Sequence, residues 1–508
     1  MTKFIKIKKI SAIIICIVIL ATLCACKSSD TSSSADGSSA GSGGSSNFSE
    51  SSQNPASSED SDSSNISSTS DGSSSEDSDS SNISSTSDGS SSESSDTDIT
   101  ILTEEDRLLY KPTSLTVTLY NPQNSVYGFT FNTNKKPIKP VIQIKKQGAA
   151  NWSEYPLSSV SAMSYDNKDY LLTYYISKTQ VTLNSNTTYI YRAYDKGAEI
   201  GTDEVTFTTK NPESSSFTFV HVSDSQAGPK EFGRVLSCVA DKADFLLHTG
   251  DVVEKSKHES EWTAMLDGNF EHLSRIPMMA ISGNHETTYK SGYNETYKHF
   301  NNNIPSQEST SLGYFYSFVY GDVKFIMLNT NDLTGDRLKT EQYDWLVNEL
   351  KYNTCKWTVV AMHNPLYSVG KYGANSEYNA IALSLQKQLQ GIFAQYKVDV
   401  VLQGHDHTIS RTFPINGSGV AQTENFETVN GVDYSVNPSG VIYVMNGPAG
   451  SQTRWPSSID DKLYAYAKNS KAASWAEFSF ENNVLTVTVK YHDGKHENTY
   501  YTWGIKKA

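Results

Sequence analysis

Six residues of metal-binding type lie just past apolar runs: Asp224 after "FTFVHVS", Asp251 after "DFLLHTG", Asn284 after "MMAISG", His363 after "TVVAM", and His405 and His407 after "VVLQG". Carboxylate and amide oxygens together with imidazole nitrogens are the mixed donors that suit a two-metal site. Taken singly, each residue has a plainer role: Asp224 as a helix cap, Asp251 and Asn284 as turn residues, His363 as a hydrogen-bonded structural histidine. Arriving in order at corresponding positions, they point to one site. In "GHDH", an extended segment of period two would turn His405 and His407 the same way and Asp406 elsewhere, leaving Asp406 without a catalytic part.

The elements that must position these residues are legible in the same stretch. The apolar runs, with "VKFIMLNTND" as a sixth, read as strands. "FGRVLSCVA", "EWTAMLDGNFEHL", "YDWLVNEL" and "AIALSLQKQLQGIF" between them carry helical periodicity. Alternation of this kind predicts an α/β (α+β) layered fold with ligands beyond the carboxyl ends of the strands. Upstream, "SLTVTLY", "YGFTFNT", "PVIQIKK", "YLLTYYIS", "TYIYRAYD" and "DEVTFTTK" are short, rich in β-branched and aromatic residues, and parted by turn residues, the spacing of a small all-β sandwich without a catalytic constellation of its own.

Asp224, "GD" at 250–251, "GNHE" at 283–286, His363 in "VVAMH" and "GHDH" at 404–407 resemble, in identity and order over about 190 residues, the calcineurin-like metallophosphoesterases. "TTYIYRAYD" followed by "VTFTTK" resembles the fibronectin-type N-terminal domain of purple acid phosphatases, and "GVIYVMNGPAG" at 440–450 their C-terminal continuation. The resemblance implies a four-layer metallophosphatase sandwich over 212–508 behind a fibronectin type III-like domain over 106–211. It also implies two divalent metal ions (Mn, Zn or Fe), with Asp224 and His407 on one, Asn284, His363 and His405 on the other, and Asp251 bridging. The implied reaction is attack of a metal-bound hydroxide on a phosphate ester, with His285 contacting the phosphate and assisting the leaving group, oriented by a carboxylate such as Glu286. Arg411 matches an arginine that follows the last histidine motif in many purple acid phosphatases, and a surface ion pair is its plainer reading.

Two positions depart from the pattern. Gln226 stands where many phosphoesterases have histidine and purple acid phosphatases glycine, and Glu254 stands where the latter have a tyrosine ligand. An amide oxygen from Gln226, or water, would complete the first ion's shell. Without the tyrosinate the site should take two divalent ions and, even loaded with iron, not be purple. Asn294, Tyr289, Tyr367, Tyr372 and Trp455 are candidate substrate contacts.

Composition sets the remaining bounds. The formal net charge is −14, but residues 27–98 hold fourteen acids and one base, so residues 99–508 carry only −5. No basic field or motif for nucleic acid is present. Residues 1–25 read as an export signal, and "LCAC" at 23–26 resembles a lipobox that would place lipid on Cys26 and tie the protein to the outer face of a membrane. Residues 26–105 are Ser, Asp, Gly and Asn with an unchanged 17-residue repeat at 58–74 and 75–91, a disordered tether reaching on the order of 50 Å. Only Cys238 and Cys355 remain beyond it, with Cys238 expected as a buried free thiol on a helix rather than in a bridge. The expectation is an exported, lipid-anchored dinuclear phosphohydrolase acting on monoesters. The alternatives are a phosphodiesterase or nucleotidase at the same site, or a surface binding protein that keeps the fold as scaffold.

Overall fold

The computed structural model describes residues 102–508 apart from 168–169, 289–292, 306–313, 374–379 and 457–458. The export signal, Cys26, nearly all of the expected tether, and Tyr289 lie outside the described residues. A short helix, Glu104–Leu108, runs across the boundary drawn at 105, because Thr103 and Asp106 close a capping box over its first turn.

Between Thr113 and Thr208 the described residues form strands joined by turns and one short 3-10 helix, Pro122–Asn124. One sheet runs, in spatial order, Thr113–Asn121, Val126–Thr133, Tyr170–Thr182 and Ser159–Asn167. The other pairs Pro140–Lys146 with Ser153–Pro156 and with Thr188–Asp195, which also carries Ile200–Gly201 and Val205–Thr208. Leu115, Val117, Phe129, Phe131, Ile142, Ile144, Tyr191 and Phe207 form the sandwich core, and burial alternates along Thr188–Asp195 and Val205–Thr208 but runs unbroken through Ser114–Leu119 and Tyr127–Thr133, which are covered on both faces. That core is continuous with the one behind it, which includes Phe217, Phe219 and Phe245.

From Ser216 onward two mixed sheets face each other. In the first, Met278–Ala280, Phe245–His248 and Ser216–Val222 are parallel neighbours, and Ala473–Glu481, Val484–His492 and Glu497–Lys506 extend them antiparallel. In the second, Val323–Met327, Trp357–Ala361, Val400–Gln403 and Ile442–Asn446 are parallel, with Phe325, Val359, Val400 and Ile442 in one row. These four point at the first sheet, where Phe219 stacks on Phe245 and Phe478 and meets Phe325 edge-on, with centroids 5.4, 4.8 and 5.2 Å apart. Their sequence neighbours Ile326, Val360, Val401 and Tyr443 point the other way, onto Leu346 of the helix Thr340–Lys351 and Leu385, Leu389 and Phe393 of Ala380–Gln395. The helix Pro229–Val239 covers the first sheet through Phe232, Val235, Leu236 and Val239. Strands buried on both faces read as unbroken apolar runs, and the result is helix, sheet, sheet, helix.

Cys238 and Cys355 are both free, and both are half-buried. Cys238 was expected inside; it lies one step off the buried stripe of its helix and so reaches partial solvent. Among the described residues no helix is long and apolar enough to cross a membrane.

Candidate metal centre

The parallel strands of both sheets end at the same edge and release five loops there, at residues 223–228, 249–256, 281–286, 362–373 and 404–407. The loops bring all six expected donors together. Ligand atoms of Asp251, His363 and His405 lie within 4.8 Å of one another. Asn284 Oδ1 is 3.0 Å and Asp251 Oδ2 3.2 Å from His363 Nε2, while Asp224 Oδ1 is 3.3 Å from His407 Nε2. Asp251 thus stands between a group made by Asn284, His363 and His405 and one made by Asp224 and His407.

Ring orientation is set from behind. His363 Nδ1 pairs with the Thr249 carbonyl at 2.8 Å, and His407 Nδ1 with the Gln452 carbonyl at 2.5 Å, so both Nε2 atoms face the cluster as neutral donors to a metal would. Burial works against the charge of Asp224 and Asp251, yet the histidines facing them hold both carboxyls below their ordinary range. Burial also opposes protonation of His363, but the Asp251 carboxylate outweighs it and raises the ring to about 9. His405, half-buried, is lowered to about 3 by removal of its ring from water and by His363 beside it. A largely buried set of two ionised carboxylates, one amide oxygen and three imidazole nitrogens fits a pair of divalent cations, whose charge would more than offset the two carboxylates and leave the site positive toward an anion.

His285 sits at the rim. Its Nδ1 pairs with the Glu254 carbonyl at 2.7 Å, which leaves Nε2 toward the cluster, 3.8 Å from Asp251 Oδ2. Burial opposes its charge, but Asp251 and the Glu254 carbonyl raise its pKa. The carboxylate expected to orient it does something else. Glu286, fully buried, accepts four backbone N–H groups: Gly283 and Asp251 at 2.8 Å, Val252 at 2.9 Å and Val253 at 3.2 Å. It clasps the loop of Asp251 to that of Asn284. The two loops approach so closely that a Cβ at Gly283 would lie 2.1 Å from Asp251 Oδ1.

The convergence of His405 and His407 also has another cause than period two. Residues 404–407 are not extended: His405 and His407 have φ of 73° and 51°, and the Asp406 N–H closes onto the Gly404 carbonyl at 2.9 Å. Asp224 and Asp251 are left-handed as well, at 54° and 56°. Four such residues in one site are a local strain that the surrounding packing must hold, at about 1–3 kcal/mol each. Asp406 has a structural task, accepting from Ser368 Oγ at 2.5 Å and Tyr372 N at 3.1 Å and so fixing the loop after His363.

Other expected residues are placed elsewhere. Arg411 is 93% buried, with its guanidinium in an ion pair with Glu424 at 3.2 Å and over the Trp503 ring, away from the donors, because its strand Thr408–Thr412 in the second sheet turns it toward the first. The Glu254 side chain accepts from Gln452 Nε2 at 2.9 Å rather than facing an ion. Tyr367 is buried with its hydroxyl on Gln390, and buried Asn294 accepts from Ser282 Oγ and Thr296 N. Tyr372 does reach the site, its ring 4.6 Å from that of His405, and Trp455 stands 78% exposed on the loop after the strand Ile442–Asn446. Sequence reading missed Gln452 and Arg454, which hold His407 and the His405 carbonyl. Gln452 acts through its main-chain oxygen, which has no residue-type signal.

Residues 217–408 match the calcineurin-like phosphoesterase family. Purple acid phosphatase 21 of Arabidopsis thaliana is 28% identical over 282 residues, 53% of this chain and 57% of that protein. Purple acid phosphatase 23 of the same plant is 28% identical over 216 residues, 40% of each chain. The chain therefore spans about half the length of these curated relatives, or less. Among solved structures, purple acid phosphatase PPD1 from yellow lupin (Lupinus luteus) seeds superposes with a TM-score of 0.65 at 19% identity, over 78% of this chain and 75% of that one. A structure of PhoD superposes with a TM-score of 0.55 at 12% identity, over 78% and 90%. These two show the common fold.

Proposed function

We propose that this chain, whose residues 217–408 form a calcineurin-like metallophosphoesterase domain, hydrolyses phosphate monoesters with two divalent ions held by the six clustered donors. The observation that carries the reading is the placement of Asp251 between the two donor groups with His285 Nε2 beside it. Asp224 and His407 would hold one ion, Asn284, His363 and His405 the other, with Asp251 shared. Such a pair supplies positive charge to the phosphoryl oxygens and lowers the pKa of a coordinated water. The chain's own contribution is orientation and one proton. The Thr249 and Gln452 carbonyls fix the ligand rings, and Glu286 fixes the loops. His285, anchored at Nδ1 and raised in pKa beside Asp251, holds a proton at Nε2 and delivers it to the departing ester oxygen. The relatives named purple acid phosphatases support a monoester over a diester. The same reading takes the chain as exported and lipid-anchored through Cys26, supported by the signal-like residues 1–25 and "LCAC".

The test is turnover of aryl phosphate monoesters and diesters by metal-quantified protein. His285→Asn should keep both ions and lose roughly 10²-fold or more in kcat; Asp251→Asn should lose at least as much together with one or both ions. Faster turnover of diesters would move the assignment to a phosphodiesterase, and equal rates in both variants would leave a scaffold without catalysis.

A further inference from the structure

Gln226 is buried to within 1% of its surface, directly behind the cluster. Its side-chain amide has one face toward two main-chain carbonyls, those of Asp224 and Asp251, and the other toward Asp251 Oδ2 at 3.5 Å and His407 Nε2 at 3.4 Å. With oxygen against the carbonyls, two acceptors would face a third. Turned so that Nε2 donates to Asp224 O at 3.2 Å and Asp251 O at 3.0 Å, the amide satisfies both carbonyls. Its Oε1 is then directed at the inner face.

On that face Oε1 meets no donor. His407 has its Nδ1 on the Gln452 carbonyl, so in the neutral ring Nε2 presents a lone pair. Asp251 Oδ2 is an acceptor, and Asp224 Oδ1, 3.3 Å from His407 Nε2, is another. Four lone-pair atoms from four residues therefore converge in a buried place, an arrangement that costs several kcal/mol unless a cation occupies its centre. We infer that the Gln226 amide oxygen is a ligand of the ion held by Asp224 and His407, and that this makes the two metal positions chemically unequal. The inference rests on the proposed dinuclear site.

The inequality follows from the donor count. The position of Asp224, Asp251, Gln226 and His407 offers three oxygens and one nitrogen, whereas that of Asn284, Asp251, His363 and His405 offers two of each. Oxygen-rich sets suit Mn and Mg, and imidazole-rich sets suit Zn and Fe. No anionic donor comes from position 254, whose carboxylate is engaged by Gln452, so the Gln226 position carries no extra negative charge to favour a trivalent ion. Zinc's advantage over manganese is therefore smaller there than at the His363 position.

The experiment is metal binding by the full chain, read without turnover: Zn and Mn titrated separately, followed by metal content after gel filtration and by Mn electron paramagnetic resonance. The wild type should hold two ions, with the Zn-over-Mn preference about tenfold or more lower at one position than at the other. Gln226→Ala should keep one tight ion and weaken the other at least about tenfold, and Gln226→Glu, which keeps the oxygen and adds charge, should bind that ion more tightly than the wild type does. If Gln226→Ala fails to fold, the sign of the Gln226→Glu effect decides. Two ions bound by Gln226→Ala as by the wild type, or Mn binding unchanged in Gln226→Glu, would overturn the inference while leaving the dinuclear site standing. A wild type that binds fewer than two ions would instead remove the site on which it rests.

Discussion

Replacing Glu286 by Gln should loosen the site without touching any donor to a metal. The carboxylate accepts two N–H groups on each oxygen, Gly283 and Asp251 on Oε2, Val252 and Val253 on Oε1. An amide oxygen serves one such pair; its NH2 group would face the other pair donor to donor. Each hydrogen bond to a charged group contributes about 1.5–3 kcal/mol, so losing two costs about 3–6 kcal/mol, a large share of the stability of an ordinary domain. Burial, with the Asp251 carboxylate next, raises Glu286 to about 7, so the comparison belongs at pH 8, where the group is ionised. The cost falls on the loops that carry Asp251, Asn284 and His285, and metal-free Glu286→Gln should show a denaturation midpoint lowered accordingly. It should also show faster hydrogen exchange at the amides of Asp251, Val252, Val253 and Gly283. A shift below about 1 kcal/mol with unchanged protection at those four amides would refute the clasp.

Two further outcomes concern the seam between the sandwich and the phosphoesterase layers. Glu259 is half-buried against His299 and Asn132, with Lys298 and Glu295 nearby, and loss of water around its carboxyl raises its pKa from 4.5 to about 7. A raised carboxyl contributes stability that is present below about pH 4.5 and lost as pH rises through 7. The wild type should lose up to about 3 kcal/mol between pH 5 and 8, and Glu259→Gln should flatten that slope; parallel slopes in urea melts would contradict it. Gly128→Ala would place a Cβ 2.2 Å from the Asn301 carbonyl and 2.5 Å from Thr118 Oγ1. It should cost about 1–3 kcal/mol and reduce metal occupancy, and an unchanged melting temperature would count against a close seam.

Much of this architecture was readable before any coordinates. Strands buried on both faces announce themselves as apolar runs, and a donor placed just past such a run is carried to the sheet edge whatever the loop does. That is why Asp224, Asp251, Asn284, His363, His405 and His407 were all found together. The loops were not legible. Left-handed backbone at His405 and His407 leaves no mark on a sequence, and period-two reasoning reached the right convergence by the wrong geometry. Main-chain acceptors such as the carbonyls of Thr249, Glu254 and Gln452 carry no side-chain identity. Arg411 failed for a related reason: the motif fixes its distance along the chain from His407, but the direction of its strand sends it to Glu424 and Trp503.

Thr116 and Thr118 donate to the carbonyls of His299 and Asn301, Asn301 donates to that of Thr179 at 2.8 Å, and Tyr191 reaches the Ser274 carbonyl at 2.7 Å. The segment they grip continues from Asn294 and Glu295, which bond to Ser282 and the Glu286 carbonyl at 3.1 and 3.0 Å, on either side of Asn284. The sandwich precedes residues 294–301 along the chain, so its threonine hydroxyls form a mould into which a strip of chain made later fits. Exchanging the module for another of the same fold would keep every catalytic residue and discard the mould. Residue 217, where the match to the phosphoesterase family model begins, is therefore not the edge of the working unit, whose contacts reach back about a hundred residues to Thr116.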